Sequence, residues 1–102
     1  MLDIKNFTKV TLEKLKKFNT GDQLELLTYK KDRKIIIMKT DYSKFNIIED
    51  GFEYNEFKNI DIKNLEKILK KLKKIEFPRS NKFFLKIINK KDSNEQISFN
   101  LI

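Results

Sequence analysis

The spacing of apolar and polar positions changes period several times along the 102-residue chain, and each change predicts an element. In VTLEKLKKFNTGD, Thr11 can N-cap a helix, with Val10 and Leu15 at the two positions of a hydrophobic staple and Gly21 as a stop. That spacing predicts a short helix over about residues 11–18. DQLELLTYKKDRKIIIMKT follows as two strand-like runs around KKDR, the second carrying the unbroken apolar run Ile35 to Met38 expected of a strand covered on both faces. A hairpin is predicted there.

In KFNIIEDGFEYNEF, Asp50 and Gly51 suit a two-residue type I′ turn, because both tolerate positive φ. Pairing outward from that turn sets Glu49 opposite Phe52, Ile47 opposite Tyr54 and Phe45 opposite Glu56. Phe45, Ile47, Phe52 and Tyr54 would then share one face.

Asp61 is placed to cap the next helix, NLEKILKKLKKIEF, and Pro78 lies just beyond its end. At 100° per residue Ile62, Leu65, Ile68, Leu69, Leu72 and Ile75 cover an arc of roughly 140°, wide enough to lie on a sheet and too wide for a coiled-coil seam. The chain closes with KFFLKIINKKDSNEQISFNLI as a third hairpin, in which Ile97, Phe99 and Leu101 alternate and KKDSNE turns. The pattern as a whole predicts one compact α+β domain over residues 1–102. Its antiparallel sheet is built from three hairpins, with a short N-terminal helix and a longer amphipathic helix packed on it, in the order α-ββ-ββ-α-ββ.

Two hairpins followed by an amphipathic helix, over the middle of the chain, is an order that resembles the single-strand-binding coactivators. No motif is shared, and the C-terminal hairpin departs from that order.

Composition narrows the chemistry. With neither histidine nor cysteine, the chain lacks the two most versatile proton-transfer and nucleophilic side chains, and with two glycines it has no P-loop, dinucleotide fingerprint or nucleophile elbow. The acidic run EDGFEYNE does not make a calcium loop, because the frame that puts Gly51 at the sixth position starts at Asn46 and ends at Phe57. KDSNE reads as a solvated turn. No metal, cofactor or catalytic activity is expected. The N-terminal residues MLDIKNFTKV carry no secretory pattern, and no segment holds the run of about 18 to 20 apolar residues that a membrane span needs, so a cytoplasmic protein without a membrane span is expected.

Charge then singles out one region. The formal net charge is +8, and apart from Arg33 and Arg79 every basic residue is lysine. AT-rich coding would also write such a chain, but not where the charge falls: residues 58–91 carry a net +9, residues 1–57 only +1. Within that block, Lys63 with Lys67, Lys67 with Lys71, and Lys70 with Lys74 are like-charged i,i+4 pairs, each costing about 0.2–0.5 kcal/mol in an isolated helix. The helix dipole rationalises Lys73 and Lys74 in the last turn, but not Lys63 and Lys67.

Three readings of the block compete. It can be a solvated face, partly neutralised by Glu49, Asp50, Glu53 and Glu56. It can meet phosphates, with lysines releasing counterions and reading no bases. Attachment to an anionic membrane is disfavoured, because the apolar face belongs to the core and there is no Trp. Tyr29, Tyr42, Tyr54, Phe57, Phe83 and Phe84 would support base stacking only where exposed next to lysines, and Phe83 and Phe84 must point to opposite sides of their strand.

The resulting expectation is a small basic binding module, associated with a DNA or RNA phosphate backbone or an acidic protein surface through Lys63, Lys67, Lys70, Lys71, Lys74, Arg79, Lys82 and Lys86. The alternative is a protein-interaction module, such as a small subunit, adaptor or stand-alone inhibitor, docking through an exposed sheet face or edge.

Overall fold

The computed structural model describes residues 1–90 and the backbone of residues 99–101. The fold is α+β, as the pattern predicts. A short strand β1 (Leu2–Asp3) and a 3₁₀ turn lead into α1 (Phe7–Leu15), followed by β2 (Gln23–Leu27), β3 (Lys34–Asp41), β4 (Lys44–Asp50), β5 (Tyr54–Ile60), α2 (Ile62–Glu76), β6 (Lys82–Ile88) and β7 (Phe99–Leu101). All strands pair antiparallel in the order β1-β6-β2-β3-β4-β5, and β7 joins β6 beside Lys86 to Ile88. The predicted β6–β7 pairing is present. Residues 91–95 of its predicted turn, and Ile97, lie outside the described residues.

Both helices cover the same sheet face. Phe7 and Leu15 of α1 and Leu65, Leu69 and Leu72 of α2 form one core with Leu24, Leu26, Ile35, Ile37, Phe45, Ile47, Phe83 and Leu85. Alternation leaves Ile36, Ile48, Phe84 and Ile88 half-buried and Met38 exposed on the opposite face, so β3 is not covered on both sides despite its apolar run.

Two local readings are corrected. Helix α1 starts at Phe7, four residues before the predicted cap, because Phe7 is wholly buried against Phe77 and Phe83, with ring centroids 5.0 Å from each. Thr11 lies inside the helix, and its hydroxyl donates to the Phe7 carbonyl at 2.7 Å. The helix ends at Leu15, and Gly21, at φ +97°, sits in the connection to β2, where its N–H donates to the Lys39 carbonyl.

The β4–β5 hairpin also differs. Its register sets Asp50 opposite Tyr54, Glu49 opposite Asn55 and Ile47 opposite Phe57, around a three-residue loop. Gly51 has no positive φ. Phe57 and Ile60 therefore pack on the core where Tyr54 was expected, while Phe52 and Tyr54 are exposed. The reason is tertiary: the Phe52 and Glu53 N–H groups donate to the Glu76 carboxylate, at 2.7 and 3.1 Å, which holds the loop to the end of α2. A bulge near Asn59, at φ 59°, completes the register shift, its N–H donating to Asn46 Oδ1 at 3.0 Å.

Candidate nucleic-acid interface

Helix α2 is built as its sequence dictates. Asp61 caps it by accepting from the Asn64 N–H at 2.9 Å, and the Phe77 N–H closes on the Lys73 carbonyl just before Pro78. Leu65, Leu69, Leu72 and Glu76 are buried, Ile68 and Ile75 are half-buried, and Ile62 at the first turn stays exposed. Lys63, Lys67, Lys70, Lys71 and Lys74 are all exposed, and a periodicity of 3.6 places them opposite the buried stripe.

Among the described residues one ion pair involves these lysines, Lys70 with Glu66 at 3.1 Å, and both partners are well exposed. Such a pair contributes about 0.3–0.5 kcal/mol. The acidic hairpin does not neutralise the face by ion pairing. Glu49 is buried beneath it, and no ion pair among the described residues joins Asp50, Glu53 or Glu56 to α2.

The fold divides the eight residues marked in the sequence. Five line the outer face of α2. Arg79 and Lys82 lie beyond Pro78, where the α2–β6 connection faces the β2–β3 turn. Lys86 lies across the sheet on the face the helices leave open, 3.7 Å from Glu25. Lys82, at the start of the same strand, alternates to that same face, where its Nζ lies 3.9 Å from Asp3.

Two hollows meet at Pro78. The first, of about 570 Å³, is lined by Lys70, Lys73, Lys74 and Phe77; the second, of about 580 Å³, by Tyr29, Lys30, Arg33, Arg79 and Lys82, with Asp32 and Glu76. The basic surface of α2 thus runs on past the helix end. Lys30 and Arg33 were not singled out from the sequence, yet Arg33 carried a signal, as one of only two arginines among 23 basic residues.

The aromatic candidates separate by exposure. Phe83 is core and Phe57 packs on it, whereas Phe84 points to the opposite side and stacks on Tyr29, with centroids 6.4 Å apart and planes 24° from parallel. Lys31 Nζ lies 4.9 Å from the Phe84 ring centroid. Tyr29 is 66% exposed, and Tyr42 and Tyr54 also reach solvent.

Among the described residues no helix is long and apolar enough to cross a membrane, and no cluster of acidic side chains is arranged to hold a metal ion. No protein-family model matches the chain, and neither curated proteins nor solved structures show significant similarity to it.

Proposed function

We propose that this protein is a non-enzymatic binding module that engages the phosphate backbone of nucleic acid along the outer face of α2. One observation carries this reading: five lysines share the solvent side of a helix whose opposite side is core, and only Lys70 has an ion-pair partner among the described residues. Lysines so placed act as point charges toward phosphates, giving affinity without base readout. The pair Lys67→Glu and Lys71→Glu is expected to abolish binding to single- and double-stranded DNA and RNA while leaving the thermal transition in place. Binding unaffected by that pair would overturn the reading.

The open sheet face supports a second reading, a protein-interaction module. Met38 is 37% exposed there, among half-buried Ile36, Ile48 and Ile88. Met38→Asp separates the two: under the first reading nucleic-acid affinity is unchanged.

A further inference from the structure

The chain writes nearly all its positive charge as lysine, yet its two arginines line the same hollow. They arrive there from different elements, Arg33 from the start of the run into β3 and Arg79 from the connection after α2. A guanidinium offers a planar fork matched to two phosphate oxygens, which a lysine ammonium does not. Lys30 and Lys82 complete four cations around a hollow of about 580 Å³, a volume suited to a small ligand.

Several features prepare this hollow. The Thr28 N–H donates to the Arg33 carbonyl at 3.1 Å, and the Thr28 hydroxyl donates to Asp32 at 2.8 Å, closing the turn that carries Tyr29 and Lys30. Arg33 Nη1 donates to the Glu76 carbonyl at 3.4 Å, so this guanidinium offsets the negative end of the α2 dipole. The Glu76 carboxylate is spent on Phe52 and Glu53, Asp32 accepts from the Thr28 hydroxyl, and Asp3 lies 3.9 Å from Lys82 Nζ. Arg79 is exposed and has no hydrogen-bond or ion-pair partner among the described residues. Tyr29, braced against Phe84 and largely exposed, adds an aromatic surface to the same rim.

From this juxtaposition we infer that the hollow binds a phosphomonoester of a sugar that carries a planar base, a nucleoside 5′-monophosphate, with the phosphate on Arg33 and Arg79 and the base on Tyr29. The same chemistry comes from a free nucleotide or from the 5′-phosphorylated end of a strand. The second source rests on the function proposed for α2; the site itself does not.

Binding of dTMP, thymidine, and an oligothymidylate carrying either a 5′-phosphate or a 5′-hydroxyl tests the proposal at low salt. The expected result is binding of dTMP and not of thymidine. Arg79→Gln should abolish dTMP binding, Arg79→Lys should restore it only in part, and Tyr29→Leu should weaken it about tenfold. Preference of the oligonucleotide for its 5′-phosphate form identifies the strand end as a source; equal affinity for both forms, with dTMP still bound, identifies the free nucleotide. Absence of dTMP binding together with equal affinity for both oligonucleotides would overturn the site and leave the α2 reading standing. Binding of dTMP unaltered by Arg79→Gln would also overturn it. Because Arg79 and Tyr29 are surface side chains, an unchanged thermal transition accompanies both variants.

Discussion

Glu49 and Glu76 are each 1% exposed and face one another between β4 and the end of α2. Burial, then the hydrogen bond to Glu76, raises the Glu49 carboxyl above its ordinary range, although the Asn55 side chain donating at 2.9 Å opposes the shift. Glu49 Oε2 meets no donor among the described residues, as suits a carboxyl that holds a proton. Burial alone would raise Glu76 too, but the bond from Glu49, the two loop N–H groups and Arg33 outweigh it and hold Glu76 below its ordinary range. The signs therefore oppose. The Glu49 contribution to stability is fully present below pH 4.5, its unperturbed value, and is lost as pH rises through the raised value. The Glu76 contribution is present above 4.5 and is lost as pH falls through the lowered value. Denaturant melts between pH 4 and 8 are expected to show Glu49→Gln removing the decline on the alkaline side, with the variant more stable than the parent at neutral pH. Glu76→Gln is expected to cost about 1–3 kcal/mol at neutral pH, by leaving a loop N–H unsatisfied. Neither glutamate was legible as a pair in the sequence, since their meeting depends on the packing of α2 against β4.

At the scale of elements, α2 was legible because one stretch carries a capping Asp, a 3.6 period and a terminal Pro together. Leu69→Ala is expected to cost about 2–5 kcal/mol, as a cavity beneath a wholly buried side chain. Asp61→Ala, which removes only the cap, is expected to cost about 1 kcal/mol. Chemical denaturation of the two variants checks both figures, and their order matters more than either value. The start of α1 was not legible, because Thr11 reads as a boundary when treated as polar, whereas it is buried and bonded to its own helix. The β4–β5 register failed for a different reason. Asp50–Gly51 has local turn propensity, but the Glu76 carboxylate supplies two hydrogen bonds that a two-residue turn would forgo. Gly51 is still required, since a Cβ there would meet the Glu76 carboxylate and come within 3.0 Å of Arg33 Cβ. Gly51→Ala is expected to destabilise by about 1–3 kcal/mol through that crowding, measured in the same denaturation series.

For the whole molecule, the positive block in the sequence becomes a surface in two parts, the outer side of α2 and the arginine-lined hollow past Pro78. The helical lysines could be read from periodicity, because one helix fixes their relative directions. Their continuation through Arg33 and Lys30 could not, because it depends on the β2–β3 turn lying beside the α2–β6 connection. Lys86 stands apart from the helical lysines for the converse reason: strand alternation sends it, like Lys82, to the face opposite Phe83 and Leu85 and away from the helices.

The phosphate-binding claim predicts counterion release, so salt is its most direct probe. Affinity for a single-stranded oligonucleotide, measured from about 50 to 200 mM salt, is expected to fall linearly on logarithmic axes for the parent protein. Replacing Lys67 with Ala should make that slope shallower by about 1, and replacing Lys71 with Ala should do so by a similar step. Binding absent even at the lowest salt, or a slope unmoved by both substitutions, would contradict a phosphate-binding role for α2.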